Sequence, residues 1–185
     1  MNIKKVVVGL LQENCYILEK EDMCIIIDPG DEVDKIIENI TYSPVAILIT
    51  HNHFDHVGAL PILKEKYNVP VYNFSNLKEG EFSIGQFKLN VIYTLGHTSD
   101  SITFYFKEDE VMFTGDFIFK GTIGRTDLPT GNFKEMQKSI RKIQAYSDII
   151  KVYPGHGDDT TLGLEKKYNE YLKQEELWKR YYQFY

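Results

Sequence analysis

The feature that most limits what this chain can fold into is an apolar run that ends in a crowd of metal-binding residue types. Val45–Thr50 passes without a break into His51-Asn52-His53-Phe54-Asp55-His56. Three of the chain's five histidines fall within these six positions. The run reads as a strand. Three imidazoles at its end would repel one another if protonated, and would lack partners if buried neutral. Metal ligation removes both problems.

The other two histidines repeat the setting. His97 stands in TLGHTSDS and His156 in VYPGHGDD, each behind an apolar run and beside a glycine. Asp116, in MFTGDF, has the same surroundings. Seven candidate ligands therefore sit at strand ends: His51, His53, Asp55, His56, His97, Asp116 and His156. In extended chain, residues two apart point the same way. That predicts convergence of His51, His53 and Asp55, with His56 turned toward a neighbouring site. Two metals suit this pattern better than one. Mixed imidazole and carboxylate donors accept zinc, iron, manganese or nickel. A catalytic zinc takes three protein ligands and leaves a position for water.

Runs rich in Val, Ile, Tyr and Phe predict strands over 3–11, 14–18, 24–28, 45–50, 69–72, 87–93, 101–106, 111–114 and 149–153. Apolar spacing of three and four predicts helices over 31–40, 57–67, 132–146 and 162–182, with Asn132 as an N-cap. The mixture argues for two sheets covered by helices. At 185 residues the chain is expected to form one domain, 1–185, including the C-terminal helix. Net charge is −6 with no Lys/Arg block, which points away from nucleic acid. No apolar run nears the roughly 20 residues that span a bilayer, so no membrane contact is expected. The N-terminus reads as a first strand and not a leader, because Gln12, Glu13 and Asn14 stand where small residues would be needed. Cys15 and Cys24 lie in apolar runs and read as buried free thiols, consistent with a cytoplasmic protein.

HNHFDH, GHT, GD and PGHG, in that order, resemble the metallo-β-lactamase superfamily, and within it short glyoxalase II-like (hydroxyacylglutathione hydrolase-like) enzymes. The segment GTIGRTDLPTGN, residues 121–132, is similar to segments of the glyoxalase II-like and persulfide dioxygenase branches. The resemblance implies an α+β fold, a four-layer αββα sandwich with metals at one edge between the sheets. It implies that His51, His53 and His97 hold a first metal. Asp55, His56 and His156 would hold a second, and Asp116 would bridge them. Asp28, in the DPG turn, would support the ligands. Enzymes that degrade β-lactams commonly carry cysteine where Asp116 stands. Two departures concern substrate: Ser99-Asp100-Ser101 replaces the usual Pro-Gly-Ser, and the chain ends before the C-terminal helical region that grips glutathione in full-length glyoxalase II.

The leading expectation is hydrolysis of a small-molecule acyl thioester by hydroxide generated at two divalent ions, most simply zinc, with iron or manganese as alternatives. Asp55 would both ligate and steer the nucleophile's proton. A thiolate, with pKa near about 8.5, leaves without a general acid. The rival readings are persulfide dioxygenation at a single iron and lactone hydrolysis. RNA-processing relatives carry a more basic surface, and flavodiiron relatives have glutamate at the position of His53. Arg125 and Lys120 are candidates to meet a substrate carboxylate. Tyr168, Tyr171, Leu172, Leu177 and Trp178 form a helical stripe that packs on the sandwich, and a monomer or homodimer is expected.

Overall fold

The computed structural model describes residues 1–173. A first sheet has the order β1 (Asn2–Val8), β2 (Glu13–Lys20), β3 (Met23–Ile27), β4 (Ser43–Leu48), β5 (Val71–Tyr72). Its first three strands are antiparallel, and β3, β4 and β5 run parallel. Helix α1 (Val33–Asn39) makes the crossover between β3 and β4, while α2 (Phe54–Val57) and α3 (Leu60–Tyr67) lie between β4 and β5. The second half contributes β6 (Gly80–Ile84), β7 (Phe87–Tyr93), β8 (Ile102–Phe106), β9 (Val111–Gly115), the ribbon β10 (Ile118–Phe119) with β11 (Thr122–Ile123), α4 (Phe133–Gln144), β12 (Lys151–Pro154), β13 (Thr160–Thr161) and α5 (Leu162–Tyr168). The second sheet has the order β13-β12-β9-β8-β7-β6.

Alternation along the strands builds the layers. Tyr16, Leu18, Ile25, Ile27 and Leu48 point from the first sheet toward Phe87, Leu89, Phe104 and Phe113 of the second. Their neighbours Cys15, Ile17, Cys24, Ile26 and Ile47 point the other way, onto Ile36 of α1 and Leu63 of α3. On the second sheet Ile92, Met112 and Val152 turn outward to Met136, Ile140 and Ile143 of α4. Both faces of each sheet are covered, which is the expected αββα sandwich. Each such aliphatic or aromatic side chain contributes about 1.5–3 kcal/mol when fully buried. Both cysteines are free and buried, and burial pushes the Cys24 thiol up to about 12.

The elements differ from expectation where local chemistry intervenes. The helix expected over 57–67 is divided. Pro61 sits in the first turn of α3 and cannot donate to Val57, and Ala59 N donates to Pro29 O at 3.0 Å. Gly58 packs so closely on Gly30 O that a side chain there would overlap it. Strand β6 has exposed Gly80, Glu81 and Ser83 at the sheet edge and so lacks an apolar run. Asn132 does cap α4, accepting from Lys134 N at 2.9 Å and Glu135 N at 3.2 Å.

The helix expected over 162–182 is also interrupted. Asn169 is extended and fully buried, and its Nδ2 donates to Thr122 O and to Glu165 Oε2, both at 2.9 Å. Glu165 in turn accepts from Gly121 N and Thr160 Oγ1. The break therefore ties α5 to the β10–β11 ribbon, and helix resumes over 170–173. Of the apolar stripe, Leu172 is buried while Tyr168 and Tyr171 are exposed. Leu177 and Trp178 lie outside the described residues. Among the described residues, no helix is long and apolar enough to cross a membrane.

Candidate metal centre

Strand direction explains why residues far apart in sequence meet. β12 is parallel to β9, and β7 is antiparallel to β8, which is antiparallel to β9. So β7, β9 and β12 all end at one edge, and the chain after each carries His97, Asp116 and His156 respectively. In the first sheet β4 ends beside β3, which puts His51 and Asp28 at that sheet's edge. A backbone bond from Asn14 N to Gly155 O, 2.7 Å, and a bridge between Glu13 and His156 join the two sheets there.

All seven candidate ligands come together, in two groups. His51, His53, His97 and Asp116 form one, and Asp55, His56 and His156 the other. His53 Nδ1 lies 3.1 Å from His51 Nε2 and 2.9 Å from His97 Nε2. His156 Nε2 lies 3.2 Å from Asp55 Oδ2. Asp116 faces both groups with different atoms. Its Oδ2 is 3.4 Å from His97 Nε2, while its Oδ1 is 3.3 Å from His56 Nε2 and 3.6 Å from His156 Nε2.

The expected convergence of Asp55 with His51 and His53 does not occur. The chain is extended through His53 and turns helical at Phe54, so the two-residue alternation stops before Asp55. Asp55 and His56 then share the second group instead.

The proton positions follow from the outer partners. His56 Nδ1 donates to Asp28 Oδ2 at 3.0 Å, His97 Nδ1 to Arg125 O at 2.7 Å, and His156 Nδ1 to Leu11 O at 3.0 Å. Thr50 gives its hydroxyl proton to Asp28 at 2.5 Å, so its oxygen accepts from His51 Nδ1 at 3.1 Å. Each of these four rings thereby turns its Nε2 inward, where a cation can meet it, as outer acceptors fix metal-binding histidines. The crowded nitrogens of His51, His53 and His97 cannot all satisfy one another. His56 Nε2 and Asp116 Oδ1 are buried without a hydrogen-bond partner. A donor set of this kind fits divalent cations, which no protein donor replaces.

The charges separate the groups further. Burial, and then the neighbouring His56, pushes His51 well below the usual histidine range; burial and His97 lower His53. Burial also opposes charge on His56, but the Asp116 and Asp28 carboxylates outweigh it and hold the ring well above that range. His156 is raised in the same way by Asp55 and Asp116 against its burial. Burial works to raise the Asp116 and Asp55 carboxyls, yet the facing imidazoles, His56 foremost for Asp116 and His156 for Asp55, hold both below the usual range.

Glu13 was not among the sequence candidates. It is buried, its carboxyl is pushed well up by burial, and Oε1 lies 3.7 Å from His56 Nδ1. A charged residue inside the apolar run LLQENCYIL was the available clue. Gly155 packs directly on the centre: a Cβ there would overlap Asp116 Oδ1 and lie 2.6 Å from His56 Cε1. The two candidate cations are engaged elsewhere. Arg125 lines the cleft above the centre but forks onto Asp127, at 3.0 and 2.8 Å. Lys120 pairs with Asp158 at 2.9 Å and does not line that cleft.

The model of the metallo-beta-lactamase superfamily matches residues 8–80 and 75–156, a span that holds every residue of both groups. The chain belongs to this superfamily. It is 35% identical over 206 residues to the probable metallo-hydrolase YqgX of Bacillus subtilis, covering 93% of this chain and 98% of that one. It is 34% identical over 208 residues to the hydroxyacylglutathione hydrolase GloC of Haemophilus influenzae, again covering 93% and 98%. Among solved structures, BLEG-1 B3 metallo-beta-lactamase superposes with a TM-score of 0.89 at 30% identity, covering 92% of this chain and 99% of that chain. TTHA1623 in a di-iron-bound form superposes with a TM-score of 0.85 at 34% identity, covering 91% and 99%.

Proposed function

We propose that this protein is a hydrolase of acyl thioesters that works with two divalent metal ions. The observation that carries the reading is Asp116, whose two oxygens face separate ligand groups. In this reading His51, His53 and His97 would hold one ion, Asp55, His56 and His156 would hold the other, and Asp116 would serve both. Two ions in these positions would polarise the acyl carbonyl and acidify the attacking water. Asp55 lines the cleft beside His156, where its carboxylate would accept a hydrogen bond from that water and orient it. No acid is required at the other end of the bond, because a thiolate is a stable leaving group. The similarity to GloC supports a thioester substrate, and the di-iron form of TTHA1623 supports iron beside zinc as an occupant.

The test is release of free thiol from S-lactoylglutathione and from simple acyl thioesters by protein loaded with zinc, or with iron. Turnover that disappears with a chelator and returns with metal is expected. Turnover of β-lactams with no thioester cleaved would overturn the reading, as would thioester cleavage that persists after both ions are removed.

A further inference from the structure

The cleft over the metal centre has a volume of about 920 Å³ and an unusual distribution of charge. Leu11, at the β1–β2 turn, and Phe54, at the start of α2, form one wall, and both are more than half exposed. Leu10 beside them is fully exposed. Phe119 and Ile123 of the β10–β11 ribbon, with Leu128 and Pro129, add further apolar lining. The ribbon is held in place by the bond from the buried Asn169 to Thr122 O. Apolar side chains left exposed around a reactive centre mark the surface that a ligand covers.

Charge on the rim points the same way. Among the described residues lining the cleft, Arg125 is the only Lys or Arg, and Asp127 occupies its guanidinium through two hydrogen bonds. Asp100, held by Asn52 Nδ2 at 2.5 Å, adds to the rim a carboxylate that pairs with no cation among the described residues. An anionic thiol carrier would place its carboxylates against Asp100 and against an arginine already paired. An uncharged one would lose nothing there and would cover the apolar walls.

We infer that the cleft selects thioesters of an uncharged, apolar thiol over those of an anionic peptide thiol such as glutathione. The inference rests on the thioester reading above and specifies its substrate. Leu11 and Phe54 are the specificity-determining side chains on one wall; Asp100 repels carboxylates at the rim, and Asp127 occupies the arginine that would otherwise meet one.

A matched pair tests this: S-hexanoyl-N-acetylcysteamine against S-hexanoylglutathione, with the same acyl group and the same zinc-loaded protein. The uncharged thioester is expected to have the higher kcat/KM by about tenfold or more, the effect of one well-buried apolar contact. Phe54→Ser should raise KM for it with kcat little changed. Asp127→Asn, which releases Arg125, should improve the glutathione thioester selectively. Calorimetric binding of the matching thioethers, S-hexyl-N-acetylcysteamine and S-hexylglutathione, supplies a readout without turnover. Equal or better use of the glutathione thioester, or tighter binding of its thioether, overturns the preference and leaves the hydrolase reading standing. If neither thioester is cleaved by protein carrying both ions, the hydrolase reading falls, and the thioether binding still decides the preference.

Discussion

The two candidate ligand groups lie side by side with Asp116 facing both, yet they are built on opposite electrostatic principles. In the group of His51, His53 and His97 the imidazoles crowd one another, and the affinity of His51 and His53 for protons is suppressed by burial and by neighbouring imidazoles. The group of Asp55, His56 and His156 is set among carboxylates, including Asp28 behind His56, and its imidazoles hold protons more firmly than usual. The difference teaches that a metal site can be prepared in two ways. Neutral donors can be crowded until only a cation relieves them, or negative charge can be arranged around them in advance.

The largest test of the comparison removes the shared residue. Asp116→Asn should release metal from both groups and lower activity by more than the roughly 100-fold typical of losing an outer partner. Metal content and thiol release measure it, and full retention of both ions would end the bridging role. Gly155→Ala comes next, because its Cβ would push on Asp116 and His56 together. Overpacking of this kind costs about 1–3 kcal/mol, so a lowered melting temperature should accompany loss of metal.

Asp28→Asn acts directly on His56 of the second group and reaches His51 of the first only through Thr50. It weakens the acceptor for His56 Nδ1, and outer partners of this kind are worth about 10–100-fold in metal affinity. The loss should fall on the second ion, so one metal per chain should survive at a concentration that empties the other site. Equal loss from both sites would break the comparison.

Acid should separate the groups as well. The raised pKa of His56 and His156 means that protons compete for them at a higher pH than for His51 and His53, whose pKa is lowered. As pH falls from neutrality, the second group should therefore empty first. Dialysed His156→Ala, which keeps the first group, should hold metal to lower pH than His53→Ala, which keeps the second. The reverse order would refute the argument. The smallest effect is expected at a side chain that belongs to neither group: Asn132→Ala removes the cap of α4 and should cost about 1 kcal/mol in denaturant unfolding with metal content unchanged.

Much of this centre was legible in one dimension because its chemistry is concentrated. HNHFDH has no comfortable structural role, and the glycine-flanked His97 and His156 repeat its position behind a strand. Less was legible where partners are brought together by the fold. Glu13 gains its significance from a bridge to His156, which is 143 positions away in the chain. Arg125 reads as a substrate cation until Asp127 is seen to occupy it. Short or exposed strands such as β6 and β10 carry too little apolar periodicity to be seen.

By itself, then, the sequence determined the donor types, the alternation that covers both faces of each sheet, and the cap and breakers that bound α3 and α4. These depend on neighbours a few residues apart, and local sterics and periodicity act over that range. The tertiary structure alone decided which ligands share a group. Parallel strands deliver His97, Asp116 and His156 to one edge, and the turn into α2 at Phe54 moves Asp55 away from His51. Both outcomes depend on where strands pair and where a helix begins in space, and spacing along the chain carries no such information.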